Sequence, residues 1–138
     1  MDRVGVQEFL ARHRYGVVSS LGERGVPESA LVGIAVTPEM EIIFDTLRLS
    51  RKYPNLIARP ECSLVVGWEG EQTVQIEGVA MEPSGAELAR YQALYFAVWP
   101  EGKERTAWPG IAYIVVRPRW VRYSDYGQVP AVVVEITL

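Results

Sequence analysis

The sequence predicts a small, mainly β protein whose strands form an antiparallel barrel of six to seven strands with three short helices. Short apolar runs bounded by turn residues give seven candidate strands, and helical patterns do not alternate with them. A parallel doubly wound sheet needs a crossover helix between successive strands, so the order of elements favours antiparallel pairing. The 138 residues fit a single domain, residues 1–138.

The first half of the chain is predicted to begin with a helix and to continue as a meander. Val6, Phe9, Leu10 and His13 stand at positions i, i+3, i+4 and i+7, which is typical of an amphipathic helix. Turn residues then separate successive β-type runs. The three predicted strands are Tyr15–Leu21, Pro27–Val36 and Glu41–Thr46.

Two more helices are predicted in the second half. Residues 50–58 are polar and then apolar, and Pro60 ends that helix. Ser84 and Glu87 have the spacing of a capping box, which predicts that a helix begins after Ser84. The residues expected on the apolar face of this last helix are Leu88, Tyr91, Tyr95 and Val98.

Four further strands are predicted, and the segment 100–110 is expected to be a loop. The third of these strands should bend near Pro118, because proline removes a donor from the ladder. The predicted strands are Cys62–Trp68, Thr73–Met81, Ile111–Tyr123 and Ala131–Thr137.

Composition excludes several classes of function. The formal charge of −3 disfavours nucleic-acid binding, which needs a broad basic face. Cys62 is the single cysteine and His13 the single histidine, so cysteine-rich and two-histidine metal sites cannot form within one chain. Cys62 is expected to be a buried, inert thiol, and His13 a packed side chain, with a haem ligand as its alternative.

Without a long apolar stretch or a signal-type N-terminus, the protein is expected to be cytoplasmic, without a membrane partner.

The segment 44–56 is the most informative stretch for chemistry. It runs from the end of a strand into the start of a helix. Within seven positions it contains two hydroxyls and three cations, and such groups are suited to binding a phosphate. The five residues are Thr46, Arg48, Ser50, Arg51 and Lys52. From these residues alone, a phosphate site and an ordinary solvated helix start both remain open.

The pattern resembles the pyridoxamine 5′-phosphate oxidase-like, FMN-binding split β-barrel family. The matching residues are Thr46, Ser50, Arg51, Lys52, Asn55, Leu56 and Pro60. The resemblance extends over most of the chain, through the opening helix, the first strand with its turn, and the segments 75–80 and 117–123. Each motif is weak alone, and their order and spacing together indicate the fold.

The resemblance implies a homodimer with two flavin sites at the subunit interface. Thr46, Ser50, Arg51 and Lys52 would hold the FMN phosphate. The strand 27–33, including Ser29 and Leu31, would lie along the isoalloxazine ring. Gln75 would lie near the ribityl chain or the ring edge, and Trp120 or Arg122 would come from the partner chain.

The function that the resemblance implies is an FMN-dependent oxidoreductase, which would pass a hydride between the flavin and a nicotinamide (NAD(P)H) or a small-molecule substrate. The cofactor performs the redox step in such proteins, so no catalytic side chain is predicted. Two alternatives stay open: a non-catalytic flavin- or haem-binding module, and an F420-dependent reductase. F420 has a more anionic tail, for which Arg3, Arg12 and Arg14 are the candidate partners. Pyridoxamine-phosphate oxidases carry further C-terminal basic residues that bind the substrate phosphate. No basic residue follows Arg122 here, so oxidation of pyridoxamine phosphate itself is not expected.

Overall fold

The computed structural model describes residues 1–138, and its main feature is one curled antiparallel sheet. The strands are β1 (Tyr15–Leu21), β2 (Pro27–Gly33), β3 (Ala35–Val36), β4 (Ile42–Leu47), β5 (Glu61–Val66), β6 (Gln72–Met81), β7 (Ile111–Asp125) and β8 (Val132–Thr137). Their order in the sheet is β2-β1-β5-β6-β7-β4-β3, and β8 pairs with β7. Every pairing is antiparallel, so the predicted barrel-type fold is confirmed.

Four helices accompany the sheet: α1 (Arg3–Ala11), α2 (Lys52–Ala58), α3 (Gly85–Val98) and α4 (Gly102–Arg105). In α1, the side chain of Asp2 accepts a hydrogen bond from the Gly5 backbone N–H at 2.9 Å, which caps the helix. Val6, Phe9 and Leu10 are buried in the core, as the helical spacing predicts.

The inner face of the sheet encloses the main core. Alternate residues of each strand point inward, as the period-two pattern requires. Burial of each large apolar side chain contributes about 1.5–3 kcal/mol, so this cluster stabilises the curled sheet. Fully buried examples are Ile34, Ile42, Phe44, Val66, Val74, Ile114, Val116 and Val121.

A second cluster lies on the outer face, under α3. Tyr91 and Tyr95 of α3 pack against Ile43, Tyr113 and Val115 of the sheet. Leu88 and Val98 join this cluster as partly buried neighbours, which confirms the apolar face predicted for the helix.

Trp99 fixes the end of α3 against β2. Its indole Nε1 donates to the Ile34 carbonyl at 3.0 Å. A Cβ at Gly33 would lie 2.9 Å from the Trp99 ring, so this close approach requires glycine. The end of α3 is therefore held next to the β2 edge.

Three local predictions differ from the structure. The predicted strand 27–36 is divided, because the Ile34 N–H donates to Arg14 and the chain then pairs with β4 as β3. Ser84 is the N-cap of α3, but its side chain makes no cap hydrogen bond. The predicted loop 100–110 contains α4. The irregularity expected near Pro118 is present as a register shift opposite Glu77 and Gly78.

Candidate functional site

We call residues 46–53 the site loop. It begins at Thr46, near the end of β4, and enters α2 at Lys52. The hydroxyl oxygens of Thr46 and Ser50 are 2.9 Å apart, and Thr46 is buried. The Tyr53 N–H donates to the Ser50 hydroxyl at 3.4 Å, and the Arg48 N–H donates to the Gly110 carbonyl at 2.8 Å. The loop geometry therefore brings together the two hydroxyls that the sequence singled out.

Lys52 is a half-buried cation that makes no ion pair and no hydrogen bond. Burial lowers the pKa of Lys52, and the nearby Asp45 carboxylate partly opposes that change. A half-buried ammonium without a partner is destabilised, because its lost hydration is not replaced. A phosphate beside Lys52 would replace that hydration with charge-assisted hydrogen bonds.

The other two cations of the site loop are placed differently. The Arg51 side chain is 75% exposed, and its Nη1 lies 3.6 Å from Oε2 of Glu28. Arg48 donates to Glu82 at 2.7 Å and to the Ile111 carbonyl at 2.8 Å. Arg51 is therefore free to reorient, whereas the Arg48 guanidinium is held by its hydrogen bonds to Glu82 and Ile111.

Asp45, next to Thr46, forms an ion pair that fixes α4. Its Oδ2 accepts from Nε of Arg105 at 2.8 Å, and both side chains are largely buried. Arg105 also lies 3.4 Å from the hydroxyl of Tyr95. Burial, followed by the charge of Asp45, raises the pKa of Tyr95, so this hydroxyl stays protonated. The segment 100–110 is thus anchored to β4 through Arg105.

Asn55 attaches α2 to the first hairpin of the sheet. Its buried amide donates to the Ser20 hydroxyl at 3.1 Å and to Oε1 of Glu28 at 2.9 Å. Glu28 is therefore contacted by both Asn55 and Arg51, and it directly precedes Ser29 in β2. This contact brings the site loop next to β2. The motif pointed to Asn55, but only the structure shows that its role is to connect the two elements.

The remaining predicted site residues lie on one outer surface, which we call the bare face. It consists of the outward side chains of β1, β2, β5, β6, β8 and residues 120–125 of β7. One cross-strand row includes Ser29, Ser19, Ser63, Glu77 and Trp120, and the next includes Leu31, Val17, Val65, Gln75 and Arg122. Leu31 is 63% exposed and Val65 is 40% exposed. The structure thus aligns Ser29, Leu31, Gln75 and Trp120, although none belongs to the site loop.

The two reactive residues of the chain are packed. Burial raises the pKa of Cys62 to about 12, so the thiol is not a nucleophile near neutral pH. His13 packs against Phe9 in a tilted arrangement with the ring centroids 4.5 Å apart, and its Nδ1 lies 2.8 Å from the Phe9 carbonyl oxygen. Both residues therefore have the packed roles that the sequence predicted.

Neither a metal cluster nor a membrane helix is found. No group of three or more His, Cys, Asp or Glu side chains is placed to hold a metal ion. None of the four helices has the length and apolarity needed to span a membrane.

Comparison with known proteins agrees with the fold and identifies the family. Residues 5–125 match the family model described as pyridoxamine 5′-phosphate oxidase. The chain belongs to this family. Pyridoxine/pyridoxamine 5′-phosphate oxidases of Burkholderia lata and Burkholderia ambifaria are 33% and 34% identical to it over 103 residues. The match covers 74% of this chain and 46% of each relative, so the chain spans about half the length of these oxidases.

Solved structures of the same fold come from proteins with different descriptions. A heme binding protein from Mycobacterium smegmatis superposes with a TM-score of 0.79 at 20% identity, covering 97% of this chain and 55% of that one. General Stress Protein 26 from Bacillus anthracis gives 0.75 at 18% identity and covers 100% of both chains. A related FMN binding protein from Nostoc punctiforme gives 0.68 at 11% identity, over 98% and 92%. At these identities the likeness establishes the fold alone.

Proposed function

We propose that this protein binds FMN and acts as a flavin-dependent oxidoreductase on a small molecule or a nicotinamide. The observation that carries the proposal is the pair of hydroxyls on Thr46 and Ser50, 2.9 Å apart, on the same loop as the unpaired, half-buried Lys52. Membership of the oxidase family and an FMN-binding structural neighbour support the choice of FMN.

The donor set of the site loop fits a phosphate monoester. Two hydroxyls and an ammonium can each donate to a phosphate oxygen, and charge-assisted bonds of this kind are the strong ones. Arg51 would add a second cation by leaving Glu28, which it meets only at 3.6 Å. Thr46, Ser50, Arg51 and Lys52 would therefore hold the phosphate, and Arg48 would stay with Glu82.

The bare face supports the second part of the site, a homodimer interface. Its apolar side chains include Leu31 and Val65, which a second copy of the chain would bury. The flavin ring would then lie along Ser29 and Leu31, with Gln75 on the same face. Trp120 would reach the flavin from the partner subunit.

The roles of the protein are then binding, orientation and exclusion of water. A bound FMN supplies the two-electron redox chemistry, which the side chains alone do not provide. The site loop would fix the phosphate end, and the bare faces of two subunits would shield the ring from solvent. No side chain of this chain is assigned an acid or base role.

A second candidate, an F420-dependent reductase, is favoured by one observation. A groove of about 600 Å³ is lined by Arg51 of the site loop together with Arg24 and Arg59. The arginines predicted for an anionic tail, Arg3, Arg12 and Arg14, do not line it. A more anionic cofactor tail could lie there, although Glu23 and Glu28 line the same groove and reduce its positive charge.

The absorption spectrum of the purified protein tests the proposal. A two-band oxidised flavin spectrum, with FMN released by heating, would support it and lead to a test of reduction by NADH and NADPH. An apo-protein would be titrated with FMN and, separately, with F420. A Soret band, or a protein that binds F420 and not FMN, would contradict the FMN assignment.

A further inference from the structure

Glu82 connects two points of the site loop, Arg48 and Tyr53, to the sheet. It follows the last residue of β6, and its side chain is 27% exposed. Its Oε1 accepts from the Tyr53 hydroxyl at 2.6 Å, and its Oε2 accepts from Nη2 of Arg48 at 2.7 Å. Arg48 follows Thr46 by two positions, and Tyr53 follows Ser50 by three. One carboxylate therefore restrains the loop on both sides of Ser50, between the two hydroxyls through Arg48 and after them through Tyr53.

Arg48 extends this restraint to a third element. Its Nη1 donates to the Ile111 carbonyl at 2.8 Å, while its backbone N–H donates to Gly110 at 2.8 Å. The Arg48 guanidinium also lies 5.3 Å from the centre of the Tyr53 ring. The loop between β4 and α2 is thus fixed to the end of β6 and the start of β7.

We propose that Glu82 is the positioning residue of the phosphate site: it holds the site loop in the conformation in which the Thr46 and Ser50 hydroxyls and Lys52 bind the same phosphate. This inference rests on the proposed function. A preorganised loop binds more tightly, because less conformational entropy is lost when the ligand arrives. Glu82 also neutralises Arg48, so the phosphate is left to Lys52 and Arg51.

Two effects of Glu82 on an anionic ligand have opposite signs, which makes the inference testable. As a nearby negative charge, Glu82 opposes phosphate binding, so Glu82→Gln would strengthen binding if charge were its whole effect. As a positioning group, Glu82 promotes binding, so the same substitution would weaken it. Tyr53→Phe removes one of the restraining hydrogen bonds without changing any charge at neutral pH.

The experiment compares FMN with riboflavin, which has the same ring and ribityl chain but no phosphate. Apo wild-type protein, Tyr53→Phe and Glu82→Gln are titrated with each ligand by flavin fluorescence, and their melting temperatures are recorded. We expect wild type to bind FMN at least about tenfold more tightly than riboflavin. Both variants should weaken FMN binding by about three- to tenfold and leave riboflavin binding unchanged. Glu69→Gln, with the same change of charge in the β5–β6 turn, is the matched control and should behave as wild type.

The possible outcomes separate the two claims. If wild type does not prefer FMN to riboflavin, the phosphate site is wrong, and the role of Glu82 is overturned with it. If wild type prefers FMN but both variants keep the wild-type preference, only the positioning role is overturned. Tighter FMN binding by Glu82→Gln would show that the carboxylate acts through its charge. Equal weakening of both ligands would show a general structural role and would also overturn the inference.

Discussion

The two halves of the outer sheet surface differ in what covers them, and β7 runs through both. Tyr113 and Val115, outward residues of its first half, lie buried under Tyr91 and Tyr95 of α3. Beyond the irregularity at Pro118, its outward residues include Trp120 and belong to the bare face. The same strand thus passes from a surface covered by its own chain to one that no segment of the chain covers.

This difference separates a surface that the chain itself buries from a surface that we propose a second copy of the chain buries. Under α3 the outward side chains are apolar and packed, which is the composition of a core. The bare face combines exposed Leu31 and Val65 with polar residues such as Ser29 and Gln75. Such a mixed surface is typical of an interface that also holds a polar ligand. The site loop lies between the halves, because Thr46 belongs to β4 and Arg51 contacts Glu28 of β2.

The largest expected effect is on stability, and it comes from shortening a side chain that is buried under α3. Ile43 is fully buried, so Ile43→Ala should lower the free energy of unfolding by about 2–5 kcal/mol, independently of protein concentration. Leu31→Ala removes a side chain that is 63% exposed within one chain. Its cost should be below about 1 kcal/mol in dilute solution and should increase with concentration as dimers form. Urea unfolding at several protein concentrations checks both, and equal costs would remove the distinction between the two halves.

A charge in the centre of the bare face should separate the subunits. Val65 pairs with Val17 and Gln75, so Val65→Asp would place a carboxylate in the middle of the proposed interface. We expect dimerisation to weaken by about 2–4 kcal/mol, seen by sedimentation as a shift to monomer. Val4→Asp on α1 makes the same change at another exposed valine and should leave the dimer intact. A Val65→Asp protein that stays dimeric would exclude this face as the interface.

Reversal of the charge of Lys52 tests the site loop, which lies between the two halves of the outer surface. Lys52→Glu places an anion against the proposed phosphate, so FMN affinity should fall by about a hundredfold or more while the fold remains intact. The matched control is Lys103→Glu, because Lys103 is the only other lysine and lies exposed on α4. Fluorescence titration with circular dichroism gives both readouts. Unchanged flavin stoichiometry in Lys52→Glu would mean that the phosphate binds elsewhere.

The smallest expected effect is a pH dependence. Burial lowers the pKa of Lys52, so its ammonium loses its proton earlier than an exposed lysine as the pH rises. FMN affinity should therefore decrease by a few fold on the alkaline side, as Lys52 becomes neutral. The arginine of Lys52→Arg keeps its charge as the pH rises, so the FMN affinity of this variant should not decrease on the alkaline side. Parallel profiles for the two proteins would contradict this role of Lys52.

The sequence predicted the elements that depend on local pattern. The alternation of apolar residues placed β1 correctly, and helical spacing placed the buried face of α1. The motif around Thr46 and Ser50 identified two hydroxyls that the structure brings to 2.9 Å. These predictions succeeded because the spacing of a strand, a turn or a helix fixes which nearby side chains share a face.

Contacts between distant segments could not be predicted in the same way. Arg48 was one of three candidate phosphate cations, but Glu82, 34 positions later, accepts its hydrogen bond. Asp45 has Arg48 and Arg51 close by in the sequence, but its ion-pair partner is Arg105, 60 positions later. Both pairings depend on the order of the strands in the sheet, which period-two patterns do not specify.

The central claim is that two bare faces and the site loops together form the flavin sites, and the stoichiometry of FMN in dimeric and monomeric protein tests it most directly. Wild type and Val65→Asp would be titrated with FMN by calorimetry, at concentrations where sedimentation shows a dimer and a monomer. We expect one FMN per chain in the wild-type dimer and at least about tenfold weaker binding by the monomer, since residues of the partner complete the site. Equal FMN affinity in the monomer would contradict the claim and would confine the site to a single chain.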